Sequence, residues 1–531
     1  MRIRLEDISF MAKKHLSKII VLLLAVAVVL CFVSMAYTGK YKEKNGLQTV
    51  KQEYETKLFN TDEVINIDIR MDAEEWDSML ENAMSEEYYV CDVDINGKTL
   101  EYVGIRPKGN TSLSAIAMNS ETDRYSLKLE FDHYVDDQTC FGLDKLILNN
   151  NYADATNMKE AIIYDMFQYL GATASLYNYA KVSVNGEYWG VYLALEGVEE
   201  SFMARNFGTK KGYLYKPDSM EMGGGDKSAE GGDGGGPGGG PTPGDFPGGD
   251  LPEGGPGGGM PGGKGGPPEG FTMGGNGANL NYVDDDLDSY STIWDGDITG
   301  ANTSDKRRVV EALKNISEGN DIEKYLDVDN VLKYMAAHTF SVNMDSLSGS
   351  MAHNYYLYES AGQLNIFPWD YNLSLGGMDM GSSGDATDMI NDAIDTPFDG
   401  TDFFDPLLEN EEYLARYHEY LQKLVDEYVN GGRFDEVYNG IRSRIDELVK
   451  TDPTAFYNYE EYDAAAQMLY KTIKLRAESI DGQLKGTIPS TDEGQQQDSS
   501  SFVDGSEIDV KTMGEFNMGG VDGGFKQRGH R

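Results

Sequence analysis

A long glycine-rich stretch separates two parts of this chain, and each part shows the sequence patterns of strands and helices. Between residues 221 and 277, 27 of 57 positions are glycine, with prolines scattered among them. Such a composition cannot bury enough apolar surface to offset the entropy lost on ordering, and it lacks the strict three-residue period of collagen. Because strand and helix patterns precede this stretch and resume at Tyr282, we predict a disordered insert over residues 219–281 within a larger domain.

The charge balance narrows the range of partners. The chain has 531 residues, with 89 Asp or Glu and 45 Lys or Arg, which gives a formal net charge of −44. A nucleic-acid-binding protein needs lysine and arginine to displace counterions from phosphates, so we predict no nucleic-acid partner. The acidic balance favours divalent cations and basic proteins as partners.

The N-terminal region carries a candidate membrane span. Residues 19–37 are nineteen consecutive apolar or small residues, which is long enough for a helix to cross a bilayer. Basic side chains precede this segment at Arg2, Arg4, Lys13, Lys14 and Lys18. They predict a single-pass cell-membrane protein with a cytoplasmic N-terminus (1–18) and an extracytoplasmic C-terminal domain. The alternative is a cleaved signal peptide and secretion, because Ser34-Met35-Ala36 has the small-x-small form of a cleavage site.

After a polar spacer at 38–56, the pattern indicates a small sheet with helices. Two hairpins are predicted at Asn96-Gly97 and Asn185-Gly186, because these dipeptides suit type I′ turns. The other predicted elements are strands at 64–71 and 124–131 and helices at 73–84 and 154–171. The first half of the chain is therefore expected to be rich in sheet.

The most informative segment for function lies at 342–377. Asp345 follows a helical pattern, Asn354 comes nine residues later, and Asp370 ends the apolar strand LNIFPWD. Kinases use such a set, because one carboxylate faces the attacking hydroxyl while an amide and a second carboxylate hold Mg²⁺. Upstream, a strand containing Lys128 and a helix containing Glu160 follow the order of parts in protein kinases. The sequence lacks G-x-G-x-x-G, H-R-D and D-F-G, which excludes an ordinary protein kinase.

Seven segments together resemble one known family. They are RPKGNTS (106–112), SLKLEF (126–131), NMKEAIIYDMF (157–167), VNGEYWGVYLALEGVEESF (184–202), GYLYKPD (212–218), NMDSLSGSMAHNYYLY (343–358) and FPWDYNLSLGG (367–377). On these segments, of which HNYYLY and PWDYN are specific, the chain resembles the CotH family of spore-coat-type atypical kinases. The resemblance covers about residues 57–480.

The resemblance implies a fold and an activity. The implied fold is α+β and protein-kinase-like with two lobes, a sheet-rich N-lobe (57–198) and a helical C-lobe (199–480), here preceded by one transmembrane helix. The implied activity is that of an atypical protein serine/threonine kinase that requires ATP with Mg²⁺ or Mn²⁺.

The resemblance also implies roles for individual residues. By this likeness Lys128 is the phosphate-binding catalytic lysine, and Glu160 is its partner on the following helix. Asp345 is the catalytic aspartate that faces the substrate hydroxyl. Asp370 and Asn354 are the metal ligands, although the nine-residue spacing from Asp345 to Asn354 differs from the five of ordinary kinases.

Four further residues are candidates for binding the nucleotide. Lys108 and Arg106, next to a glycine-containing turn, are alternative phosphate contacts, and stabilisation of the turn explains them equally well. Glu196, at the connector after the second hairpin, either contacts the nucleotide or ends a strand. Lys216 could reach the phosphates from across the cleft.

The predicted function is phosphorylation of a secreted, surface or spore-coat protein, with a basic, serine-rich protein as the expected substrate type. Because ATP is scarce outside the cytoplasm, the alternative is a catalytically inactive kinase-like scaffold for coat or surface assembly. Transfer of AMP is a third option. The tail at 487–531 is predicted to be disordered, and pairing of Cys91 with Cys140 stays open because sequence does not give their separation.

Overall fold

The computed structural model describes residues 51–209, 211–217, 275–349, 351–378, 386–398, 400–514 and 516. The predicted disordered insert lies outside these ranges as far as residue 274. Its last residues, 275–281, are folded, and Ala278 and Leu280 are fully buried.

The strands form two sheets. The first contains β1 (Ile65–Arg70), β2 (Tyr89–Ile95), β3 (Lys98–Lys108), β4 (Ser126–Glu130), β5 (Lys145–Asn149), β6 (Tyr177–Val184) and β7 (Glu187–Glu196). These seven strands close into a barrel in the order β1-β2-β3-β4-β5-β7-β6. The second sheet has three antiparallel strands, β8 (Tyr213–Tyr215), β9 (Tyr355–Ser360) and β10 (Gln363–Pro368).

Helices pack against both sheets. They are α1 (Glu53–Lys57), α2 (Ala73–Glu81), α3 (Thr111–Ala117), α4 (Lys159–Leu170), α5 (Glu200–Phe207), α6 (Ser291–Asp295), α7 (Thr303–Ser317), α8 (Ile322–Tyr325), α9 (Val328–Ser341), α10 (Thr387–Ile390), α11 (Asp405–Leu408), α12 (Glu411–Lys423), α13 (Arg433–Lys450), α14 (Tyr459–Leu484) and α15 (Asp492–Gln497). Short 3₁₀ turns lie at Ala83–Ser85, Leu287–Tyr290 and Val510–Met513, and a π-helical turn, Leu424–Val429, follows α12.

Both predicted hairpins are confirmed. Strands β2 and β3 pair around Asn96-Gly97, and β6 and β7 pair around Asn185-Gly186. In each turn both central residues have positive φ, between 51° and 83°, as a type I′ connection requires.

The barrel wall separates two hydrophobic cores, because side chains alternate between the two faces of a strand. The interior is filled by residues such as Ile67, Val93 and Leu129. On β5 and β7 the outward residues, including Ile147 and Leu193, belong to the core that also contains the buried faces of α4, α9 and α14. The barrel and the helices are therefore held together by one continuous apolar interface.

The predicted two-lobed, protein-kinase-like fold is wrong. Parallel pairing of Ile65–Ile69 with Ala180–Val184 closes the first half of the chain into a barrel, whereas a kinase-like lobe would be an open sheet. The outer wall of the barrel shares its core with the helical half, so the two halves are not separate lobes. Only the α+β class survives from that prediction.

The membrane prediction is also corrected. Nowhere in the part of the chain that the structure describes is a helix both long and apolar enough to cross a bilayer. The described residues therefore give no support to the predicted single-pass membrane protein. The segment at 19–37, from which the prediction was drawn, lies outside the described residues.

The first part of the tail that was predicted to be disordered is folded. Residues 487–514, predicted to be disordered, pack on the helices and bury Ile488, Ile508 and Met513. These apolar residues are widely spaced in a polar segment, so no periodic pattern predicts their burial.

Cys91 and Cys140 are both free, buried thiols, and burial raises the pKa of each to about 12.

Candidate active site

A lysine, an amide and a carboxylate are linked on the outer face of the barrel. Lys108 at the end of β3 donates from Nζ to Asn149 Oδ1 at 3.1 Å. Asn149 at the end of β5 in turn donates from Nδ2 to Glu160 Oε2 at 2.8 Å. Glu160 lies in the first turn of α4 and is 2% exposed. The barrel strands and α4 therefore hold the lysine and the glutamate on either side of one bridging amide.

Asp370 approaches this group from the second sheet. It follows β10 and Trp369, and its backbone has a positive φ of 58°. The Lys108 ammonium lies 5.6 Å from the centre of the Trp369 ring, and the Tyr371 amide points to Glu160 Oε1 at 3.4 Å. Asn343 donates from Nδ2 to the Asp370 carbonyl at 3.4 Å. Asp370 is thus brought next to Lys108 and Glu160 by the end of a strand.

A cleft opens at this meeting point. Its lining residues are Lys108, Ser112, Ser126, Asn149, Asn150, Asn151, Tyr152, Glu160, Asp370 and Asn372. All ten side chains end in an amide, a hydroxyl, an amino or a carboxyl group. The lining is suited to a polar, charged ligand.

Asp345 is held by two neighbours from its own loop. His353 Nε2 lies 2.6 Å from Asp345 Oδ1. Asn354 donates from Nδ2 to Asp345 Oδ2 at 3.1 Å and to the Asp345 carbonyl at 2.8 Å. The Asn354 carbonyl accepts from the Trp369 amide at 3.2 Å, which ties this loop to the residue before Asp370.

The charges of these groups act on one another. Burial, and then the nearby Asp370 carboxylate, raise the pKa of Glu160 to about 8. Burial raises the pKa of Asp370 as well, Asp345 adds to the rise, and the charge of Lys108 opposes it. Burial lowers the pKa of Lys108, while Asp370 raises it. Ionisable groups with shifted pKa values that face one another in a cleft are typical of functional sites.

Lys128 and Arg106 lie on the same outer face, one step further from the cleft. They stand opposite each other on β4 and β3, whereas Lys108 pairs with Ser126 at the strand ends. Arg106 forms an ion pair with Glu86, and its guanidinium lies 5.4 Å from the centre of the Tyr88 ring. The contact with Asn149 and the charge interactions with Glu160 and Asp370 belong to Lys108, and Lys128 lies two residue pairs further along the strands.

The remaining predicted residues separate into two groups. Glu196 is fully buried and accepts from Arg205, from the Tyr54 hydroxyl at 2.7 Å and from the Leu176 amide at 3.1 Å. This is a structural network that joins β7 to α5. Lys216 follows β8, and its charge opposes the rise in the pKa of Asp370 and adds to the fall in the pKa of Lys108.

Three contributors were not predicted as site residues. Asn149 bridges Lys108 and Glu160, Asn343 holds the Asp370 loop, and His353 holds Asp345. The run Asn149-Asn150-Asn151 directly after an apolar strand was a usable signal, because three adjacent amides at a strand end have no role in a core. Asn343 and His353 gave no comparable signal.

The oxygen donors of the site suit Mg²⁺ or Mn²⁺. Across the described ranges, no group of three or more His, Cys, Asp and Glu side chains is arranged to hold a metal ion. Magnesium in phosphoryl-transfer sites needs fewer protein ligands, since it is held by one or two carboxylates together with phosphates and water. Asp370 and the neighbouring Asn354 supply such a set, and burial raises the pKa of Asp370 although the charge of Lys108 opposes the rise.

Fold and site define an α+β barrel protein with a lysine–carboxylate cluster at the junction of its barrel and helices. The family described as CotH kinase protein matches residues 105–480, so the chain belongs to this family. It is also 21% identical over 346 residues to inner spore coat protein H of Bacillus subtilis (strain 168). That alignment covers 65% of this chain and 79% of the relative.

Proposed function

We propose that this protein is an ATP- and divalent-metal-dependent kinase that phosphorylates serine or threonine in a protein substrate. One observation carries the proposal: Lys108, Asn149, Glu160 and Asp370 converge in one polar cleft. Family membership supports the same reading, because the family is described as a kinase protein. The similarity to an inner spore coat protein leads us to propose a coat or surface protein as the substrate class.

Lys108 is the residue we propose to contact the phosphates. Its ammonium is held by Asn149, and Asn149 is held by Glu160, so the lysine is oriented before any ligand binds. Preorganised charge of this kind stabilises phosphoryl groups more than mobile charge does. Lys128, the lysine predicted from sequence, becomes the second candidate, because it faces the same side of the barrel one step away.

Asp370 and Asn354 are the residues we propose to hold Mg²⁺ or Mn²⁺. When bound, the cation neutralises charge on the phosphates. Asn343 supports this arrangement by donating to the Asp370 carbonyl. Tyr164 donates to the Pro368 carbonyl at 3.3 Å and fixes the end of the strand that leads to Asp370.

Asp345 is the residue we propose to accept the proton of the substrate hydroxyl. His353 and Asn354 each hold one carboxylate oxygen, so the group is oriented while both oxygens remain hydrogen-bond acceptors. Its charge also acts on Asp370, which supports a position near the phosphate site. Orientation of the nucleophile is the main contribution that a protein makes in this reaction class.

The experiment that tests the proposal uses the full-length protein, γ-labelled ATP, Mg²⁺ or Mn²⁺ and a basic, serine-rich polypeptide. We expect label transfer that needs the metal and that falls at least about a thousandfold in Asp370→Asn, because a preorganised charged group is lost. Asp62→Asn, a substitution of an exposed aspartate, should behave like the wild type. The mass of the modified substrate separates phosphate from AMP transfer.

Two results would contradict the kinase. Transfer that survives in Asp370→Asn would remove Asp370 from the chemistry. No transfer by the wild type, together with no metal-dependent rise in melting temperature on adding ATP, would favour the catalytically inactive scaffold.

A further inference from the structure

Residues that follow the segment matched by the family lie beside the cleft. The match ends at residue 480, yet the 3₁₀ turn Val510–Met513 packs against α14, and Met513 is fully buried. Residues 510–514 and Phe516 then run alongside two segments that border the candidate active site. We refer to residues 510–514 and 516 as the C-terminal strap.

The first of these segments is the loop that precedes Glu160. The Ala155 amide donates to the Met513 carbonyl at 3.1 Å. Lys159, the residue directly before Glu160, is 1% exposed and donates from Nζ to the Gly514 carbonyl at 3.3 Å. The strap therefore supplies hydrogen-bond acceptors to the backbone and to a buried ammonium at the start of α4.

The second segment follows Asp370. The Phe516 amide donates to the Gly377 carbonyl at 2.8 Å, and the Phe516 ring lies 6.1 Å from the ring of Tyr152, which lines the cleft. Asn372, another lining residue, donates to the Tyr152 carbonyl at 2.9 Å. The strap thus joins the Glu160 side of the cleft to the Asp370 side.

We propose that the C-terminal strap is a positioning element of the active site, which fixes the distance between the Tyr152–Lys159 segment and the segment after Asp370. The inference rests on the proposed function in one respect only, namely that the cleft binds a nucleotide. The contacts that carry the proposal join the strap to the supports of Glu160 and Asp370, namely Ala155, Lys159 and Gly377. Its loss should therefore weaken nucleotide binding more than it slows transfer.

Gly514→Ala is the substitution that should displace the strap most directly from the Ala153–Ala155 backbone. Gly514 has φ +86°, and an added Cβ would lie 2.5 Å from the Ala153 carbonyl oxygen and 2.8 Å from the Ala155 nitrogen. Gly486→Ala is the matched control, because Gly486 has a similar φ of +70° and open space around the same position. Both glycines have positive φ, and of the two only Gly514 has the Ala153–Ala155 backbone within 4 Å of an added Cβ.

Two readouts are taken on the full-length protein and both variants: hydrogen–deuterium exchange of peptides covering 153–160, and kcat and KM for ATP. For Gly514→Ala we expect exchange in 153–160 to become about tenfold faster and KM to rise about fivefold to tenfold, with kcat changed less than about threefold, because binding groups are displaced while the reacting groups stay. Gly486→Ala should match the wild type in all three quantities.

Equal exchange in the two variants would overturn the proposal. Faster exchange with unchanged kinetics in an active enzyme would also overturn it, because the strap would then be structural only. If the wild type transfers no phosphate, the proposed function fails, and the exchange result together with the affinity for ATP still tests the strap. If Gly514→Ala does not fold, Phe516→Ala replaces it, with the same pattern expected at smaller size.

Discussion

Two buried networks of charged side chains join the elements of this protein, and they differ in how completely the charges are paired. At Glu196, one carboxylate accepts from an arginine, a tyrosine hydroxyl and a backbone amide. At Glu160, the carboxylate accepts from one side-chain amide and weakly from one backbone amide, with a second carboxylate nearby. The first network is complete in itself, whereas in the second two carboxyl groups lie close together beside a cleft, and burial together with this proximity raises the pKa of Glu160 to about 8.

This difference in pairing helps to separate buried charged residues that stabilise the fold from those that are available to bind a ligand. A saturated ion pair has no capacity left for a ligand, and removing one partner leaves a buried charge unpaired. An under-paired carboxylate group costs stability and gains from a bound cation or a cationic ligand. The sequence made Glu160 a candidate partner of the phosphate-binding lysine and Glu196 a candidate nucleotide contact, and the hydrogen-bond partners distinguish their surroundings.

The largest expected effect separates the two lysines on the outer face of the barrel. Lys108→Ala should lower kcat/KM for ATP about a hundredfold to a thousandfold, because it removes preorganised positive charge from the phosphate site. Lys128→Ala, a matched change on the neighbouring strand, should cost less than about tenfold, because this lysine lies one step further from Glu160 and Asp370. Steady-state kinetics of both variants measure this, and a reversed order would restore Lys128 to the role predicted from sequence.

The second prediction concerns the saturated network. Glu196→Gln should lower the free energy of unfolding by about 3 kcal/mol, because Arg205 is left buried without its carboxylate. Activity per folded molecule should stay close to that of the wild type. The measurement is denaturant unfolding beside the exposed control Glu187→Gln on the same strand. Unchanged stability with lost activity would place Glu196 in the functional group after all.

A smaller effect is expected behind the site, at His338. This buried histidine bonds to the Tyr371 hydroxyl and to Ser348 Oγ, both at 2.8 Å, and burial lowers its pKa to about 3. The unfolded chain binds a proton at His338 from about pH 6.5 downward, whereas the folded protein does not, so this histidine's contribution to stability is present above pH 6.5 and is lost as the pH falls towards 3. We measure the free energy of unfolding by urea denaturation between pH 7 and 4. Its slope against pH should be smaller in His338→Gln than in the wild type by up to about 1.4 kcal/mol per pH unit. Equal slopes in the two proteins would contradict this prediction.

Much of the local structure could be predicted from the sequence, and the long-range pairing could not. The Asn-Gly dipeptides at 96–97 and 185–186 determine their turns because few other residue pairs accept positive φ twice. Barrel closure depends on pairing of residues 65–69 with 180–184 across more than a hundred positions, and no local pattern encodes a partner so far away. The kinase-like fold was implied by the family resemblance together with the order of the parts, and neither determines whether a sheet stays open.

The candidate site shows the same limit. Asp345, Asn354 and Asp370 were predicted together, because a short loop and one hairpin join them along the chain, and the structure does bring them together. Lys108 and Lys128 both face outward on adjacent strands, so the choice between them depends on the register in which Lys108 pairs with Ser126 at the strand ends. The strap was missed because its buried residues, Ile508 and Met513, are isolated in a polar segment.

The most direct test of the central claim is a calorimetric titration of ATP into the wild type, Glu160→Gln and Glu196→Gln, with and without Mg²⁺, at a temperature where all three are folded. We predict metal-dependent binding in the wild type and in Glu196→Gln, and affinity at least about tenfold weaker in Glu160→Gln, because the substitution removes the charge of Glu160 that favours the protonated form of Lys108. Equal affinity in all three proteins, or no binding to the wild type, would contradict the assignment of the Lys108–Glu160–Asp370 cleft as a nucleotide site.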